Sequence, residues 1–168
     1  MDDLVDQLIA EWGREAPELD VGGMAIVGRI LALGRRFETR IETKLKPLGL
    51  IYTDFDILAT LRRSGAPYDL TPTELRRSIL LTSGAMTAAL DRLERNGLIE
   101  RIRSQKDRRS SSARLTLEGV KTVDEAAVMR FKDANESVDS LSEQDRETLA
   151  RLLKKLFLAA DGVPIDNI

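Results

Sequence analysis

The chain has no cysteine and no histidine among its 168 residues. Their absence excludes a disulfide, a thiol switch, a Cys/His metal site and a histidine-based catalytic triad. Aromatic residues make up only 4% of the sequence, too few for an extended surface that stacks single-stranded nucleic acid. No apolar run approaches the roughly 18 residues that cross a bilayer, so no membrane partner is expected. The opening residues MDDLVDQL are acidic where a secretory signal is basic, which points to the cytoplasm. Nucleophile–base pairs, phosphate loops and metal-ligand spacings are missing as well. No enzyme, cofactor or metal is therefore expected.

What the chain does have is an uneven distribution of charge. Residues 101–114 hold six basic side chains, Arg101, Arg103, Lys106, Arg108, Arg109 and Arg114, and one acid, Asp107. That segment carries +5 in a chain of net charge −2, so the remainder carries −7. A basic patch on an otherwise acidic protein suits a polyanion.

Hydrophobic periodicity places the patch within a mainly helical fold. Leu4, Leu8 and Trp12 form one stripe of a short helix over residues 2–16, which Pro17 ends. A long helix over 24–46 carries Ile26, Ile30, Leu33, Phe37, Ile41 and Leu45, and Pro47 with Gly49 stops it. Thr53 is the expected cap of the next helix, which runs to Arg63 with Phe55, Leu58 and Leu61 inward. Gly65, Pro67 and Asp69 mark a turn. Thr71-Pro72-Thr73-Glu74 is a capping-box start for a helix ending near Leu80, with Leu75 and Ile79 inward. Another helix begins at Thr82 or Ser83 and runs to Asn96, burying Met86, Leu90 and Leu93, with Gly97 as its C-terminal cap. Alternation over 98–103 and 113–117 predicts a hairpin whose loop holds the polar run. A helix from Glu118 to about Asp139 and one capped by Ser142, with a stripe of Leu149, Leu152, Leu153, Leu156 and Phe157, complete the chain.

Helix, short turn, helix and hairpin, in that order, are the parts of a winged helix-turn-helix, in which the second helix enters a major groove. The predicted division is N-terminal dimerisation helices over 1–50, a DNA-binding domain over 51–119, C-terminal dimerisation helices over 120–160 and a tail over 161–168. The outward face of the second helix offers Ser83, Gly84, Thr87, Ala88, Arg92 and Arg95 to DNA. The small residues permit close approach, Ser83 and Thr87 bond base edges or phosphates, and the two arginines reach the backbone. Arg92 and Arg95 also have Asp91 and Glu94 at pairing distance along the helix. Lys106, Arg108 and Arg109 at the hairpin tip face the adjacent minor groove. The alternative is a winged-helix module whose basic wing binds an acidic protein partner.

Asp107-Arg108-Arg109, five residues, Leu115-Thr116, two residues and Gly119 resemble the wing signature of the MarR family of bacterial transcriptional regulators. Thr87 to Glu94, followed by Gly97-Leu98-Ile99 and Arg101, resembles that family's recognition helix and its exit into the wing. The resemblance covers about residues 24–158. It implies a homodimer on a pseudo-palindromic double-stranded operator, usually a repressor. It also implies that Asp107 and Arg109 are scaffold, with Leu115, Thr116 and Gly119 marking the return into the next helix, and that Arg108 is the better minor-groove contact. Ala88 stands where many members carry an arginine, so the operator of a relative cannot be transferred to this chain.

The outer stripes are expected to form a two-fold interface, since half-site reading requires one. Relatives are often released from DNA by a small aromatic or acidic effector. Arg36 and Arg40 on one helix face, with Tyr52 and Phe55 close behind in sequence, are the residues that would hold an aryl carboxylate.

Overall fold

A computed structural model of the chain describes residues 1–79, 83–103 and 111–160, with the side chains of Ser83 and Arg103 left aside. Two units make up the chain, Met1–Lys44 and Leu45–Ile168.

Unit 1 holds α1 (Leu4–Glu15) and most of α2 (Met24–Leu45). Asp3 caps α1, accepting from the Val5 and Asp6 amides at 2.8 and 3.0 Å. Asp3 and Asp6 then grip Arg29 of α2 at 2.9 and 2.6 Å. Those bonds hold the Asp6 carboxyl below its ordinary value. Val5 is buried where α1 crosses α2, and a Cβ at Gly28 would lie 3.1 Å from its Cγ1. The Trp12 stripe is not buried by this contact. Leu4, Leu8 and Trp12 remain 42–61% exposed along an apolar groove of roughly 530 Å³. On α2, Ile41 and Leu45 are buried, whereas Ile26, Ile30, Leu33 and Phe37 face solvent.

Unit 2 begins with a 3₁₀ turn at Lys46–Leu48, closed by Gly49 in the left-handed region at φ 69°. Helix α3 spans Tyr52–Arg63. Its N-cap position is Ile51, not Thr53. The Asp54 carboxylate reaches back to the Ile51 amide at 3.3 Å, which starts the helix earlier than the sequence suggested. The expected turn at 65–70 contains a two-residue strand, β1 (Asp69–Leu70), too short to show alternation. Tyr68 before it takes a positive φ of 61°.

The Thr71–Glu74 capping box is present. The Thr71 amide and hydroxyl donate to the Glu74 carboxylate at 2.8 and 2.7 Å, and the Glu74 amide donates back to the hydroxyl at 3.3 Å. It opens α4 (Pro72–Ser78), which ends two residues before Leu80 because Ile79 is extended. Helix α5 (Ser83–Arg95) follows. Gly97 at φ 70° closes it, with its amide on the Glu94 carbonyl and the Leu98 amide on the Leu93 carbonyl, a Schellman motif.

Strands β2 (Ile99–Arg103) and β3 (Ser111–Leu115) pair antiparallel, and β1 adds to the other edge of β3, giving the order β1-β3-β2. Leu58, Leu61, Leu75, Met86, Leu93, Ala113 and Leu115 form the core shared by the helices and the sheet. Thr116 caps α6 (Leu117–Glu136), which packs on α3 through Val123 and Ala126. Arg62 adds a bidentate pair to Asp124 at 2.8 and 3.2 Å while its guanidinium lies 4.9 Å over the Tyr68 ring. Helix α7 (Glu143–Ala160) starts at Ser142, whose hydroxyl accepts the Asp145 amide at 3.2 Å. Its whole apolar stripe is exposed.

Candidate nucleic-acid interface

Helices α4 and α5 with the sheet form a helix-turn-helix followed by a wing. In α5 the stripe Met86, Ala89, Leu90 and Leu93 is buried to 4% exposure or less, which turns the opposite face outward. That face carries Gly84, Thr87 and Ala88 in its first turns and Arg95 in its last, all exposed. A convex helix with a shallow, small-residue N-terminal half fits a major groove, because little side-chain bulk stands between backbone and bases. Arg95 is held only by its Nε on the Asp91 carbonyl at 3.2 Å, so its guanidinium faces solvent among the described residues.

The other predicted backbone contact has a different role. Arg92 turns inward and forks onto Asp54 of α3, with Nη2 2.5 Å from Oδ1 and Nε 3.0 Å from Oδ2. Asp54 is fully buried, and its hydrogen bonds raise the Arg92 pKa further. A buried carboxylate needs that cation, so Arg92 is not a freely extended phosphate contact. Nor does it pair with Asp91 or Glu94. Both of those acids are taken by Arg101 on β2, Asp91 through a short contact to Nη2 and Glu94 at 3.2 Å to Nε. Arg114 on β3 is also engaged, 2.8 Å from its cross-strand partner Asp69 and 4.0 Å from Glu100 on its other side. Two of the six cations of the basic segment therefore brace the wing. Arg103 contributes backbone pairing with Ser111. Lys106, Asp107, Arg108 and Arg109 lie outside the described residues, as does the Ser83 side chain.

The return from the wing is tightly built. Leu115 is buried. The Thr116 hydroxyl donates to the Gly97 carbonyl at 2.7 Å and accepts the Gly119 amide at 2.9 Å. A Cβ on Gly119 would sit 1.9 Å from the Leu98 carbonyl oxygen, so only glycine fits there. The exit of α5 and the entry of α6 are thereby locked against each other.

Arg76 and Arg77 lie in the last turn of α4, outside the basic segment of the wing. Both are exposed on α4, the helix that crosses the DNA backbone in such motifs. Their signal in the sequence is a pair of adjacent arginines directly after a strong helix start.

Arg36 is exposed and Arg40 half-exposed on α2, and Tyr52 is half-buried at the start of α3. Phe55 is buried in unit 2 at 6% exposure. No cluster of three or more potential metal-ligating His, Cys, Asp or Glu residues occurs among the described residues. No helix there is long and apolar enough to cross a membrane.

Comparison with known proteins agrees with this geometry. The family model described as MarR family matches residues 48–110, from the 3₁₀ turn into the wing. The transcriptional regulator PecS of Dickeya dadantii is 30% identical over 152 residues, covering 90% of this chain and 92% of that protein. The multiple antibiotic resistance protein MarR of Salmonella typhimurium is 30% identical over 133 residues, covering 78% and 90%. Among solved structures, a mutant form of Escherichia coli MarR complexed with operator DNA superposes with a TM-score of 0.70 at 26% identity, covering 82% of this chain and 99% of that one. With α5 exposing a groove-sized face, a wing beside it and relatives matched over nearly their full length, the chain belongs to the MarR family of winged-helix, DNA-binding transcriptional regulators.

Proposed function

We propose that the protein is a cytoplasmic homodimeric repressor without catalytic activity, which reads a pseudo-palindromic operator and is released by a small aromatic or acidic ligand. The exposed Gly84, Thr87 and Ala88 face of α5, set against a buried stripe on its other side, carries this reading. In it, α5 lies in the major groove. Thr87 meets a base edge or phosphate, and Ala88 suits a thymine methyl. Arg95, with Arg76 and Arg77 on α4, reaches the phosphate backbone. In this reading Arg108, beside Lys106, enters the flanking minor groove, with Asp107 and Arg109 as the scaffold that orients it. The helices of 1–50 and 120–160 supply the dimer interface, and Arg36 and Arg40 on α2 are the cations for an acidic effector.

Arg108→Ala tests the wing contact. Operator binding followed by fluorescence anisotropy is expected to weaken by roughly 1–3 kcal/mol, with the salt slope shallower by about 1. Unchanged affinity and slope would remove the wing from the interface. A thermal-shift screen with aryl carboxylates tests the effector: a rise in Tm that Arg36→Ala or Arg40→Ala abolishes is expected.

A further inference from the structure

The Asp54–Arg92 pair joins residues 38 positions apart and belongs to no motif in the sequence. Asp54, near the start of α3, is fully buried, a position strongly disfavoured for a carboxylate unless a cation meets it. Arg92 meets it with Nε 3.1 and 3.0 Å from the two oxygens and Nη2 2.5 Å from Oδ1. The same carboxylate accepts the Ile51 amide. One side chain thus fastens the first turn of α3 to the C-terminal half of α5.

The form of this link matters. A guanidinium forked on a carboxylate fixes angle as well as distance, whereas an ammonium fixes distance alone. Met86, Leu90 and Leu93 add apolar packing without directional bonds, and Arg101 of β2 adds pairs to Asp91 and Glu94 that are partly exposed and so weakened by solvent. Apolar packing by itself leaves small rotations of the helix cheap. The reading face of α5 cannot absorb such rotations, because Gly84, Thr87 and Ala88 have no long side chain to readjust.

We propose that Asp54 is a positioning residue for operator reading: through Arg92 it sets the rotation and depth of α5, and so decides which bases Thr87 and Ala88 meet. The proposal rests on the reading of α5 as the groove helix. Arg92 acts in it as an internal strut, and its charge is spent on Asp54 rather than on phosphate.

The test uses the full-length protein and a duplex selected by it from a random pool, with a scrambled duplex of equal length. Asp54→Asn keeps the side-chain shape and removes the charge. Operator affinity is expected to fall by about tenfold, the scale of one lost base contact. Scrambled-duplex affinity and the salt slope are expected to stay at parent values. Arg92→Lys leaves Asp54 compensated, is expected to give the same selective loss, and covers a failure of Asp54→Asn to fold. Parent-like or tighter operator binding by the folded variants would overturn the proposal. So would operator and scrambled affinities falling together with a shallower slope in Arg92→Lys, which would mark Arg92 as a phosphate contact. A parent protein that selects no sequence would instead remove the groove reading itself.

Discussion

At the scale of single residues, Gly119 and Thr116 set the relation between the recognition helix and the helix that follows the wing. Thr116 bonds the Gly97 carbonyl and caps α6 in the same place. Gly119 lets its backbone come against Leu98, where a Cβ would overlap a backbone oxygen that cannot swing aside. Gly119→Ala is expected to cost about 3 kcal/mol, the upper range for forcing an extra carbon into a packed site. Urea unfolding measures it, and a loss below about 0.5 kcal/mol, typical of an open surface site, would show that the approach is not tight. Thr116→Ala is expected to cost about 1 kcal/mol as the loss of a cap. Thr116→Ser, which restores the hydroxyl, should recover most of it.

At the scale of elements, α4 depends on its cap. Bonds from the Thr71 amide and hydroxyl hold the Glu74 carboxyl below its ordinary value of 4.5. A lowered carboxyl contributes stability that is complete above the unfolded value and is lost as pH falls through the folded one. The helix-turn-helix should therefore loosen in acid at and below that range, and Glu74→Gln should remove this part of the pH dependence. Unfolding curves for parent and variant between pH 3 and 7 check it, and parallel pH profiles would contradict it. This cap was legible in the sequence because all its partners lie within four residues. So were the inward stripes of α4 and α5, where periodicity and burial coincide. The ion pairs were not. Arg92 has local acids at helical spacing, yet its partner lies 38 residues away, and Arg101 takes those local acids from the neighbouring strand. A charge count therefore marks the wing correctly but overstates its cations, since Arg101 and Arg114 are neutralised within the fold. Strand β1 escaped notice for another reason: two residues cannot display a period of two.

At the scale of the whole molecule, the outer helices carry more apolar surface than one chain covers. On α7, Leu149, Leu152, Leu153, Leu156 and Phe157 are between 42% and 64% exposed. On α1, Leu4, Leu8 and Trp12 are likewise exposed. Contiguous patches of this kind mark interaction surfaces, and a two-fold partner covers both copies of such a patch at once. The double change Leu152→Glu with Leu156→Glu is expected to convert the protein to monomer in sedimentation, with helical content preserved. Operator affinity should fall with it, since each half-site then binds alone. A variant that stays dimeric would place the interface elsewhere.

The central claim is that a convex α5 and a basic wing read duplex DNA by sequence. A competition titration tests it most directly, with labelled duplex selected by the protein displaced by unlabelled operator, scrambled duplex or an acidic peptide of equal charge. The account predicts that operator displaces the probe at least about a thousandfold better than scrambled duplex, with affinity falling steeply as salt rises. Equal displacement by operator and scrambled duplex, or stronger displacement by the acidic peptide, would contradict it.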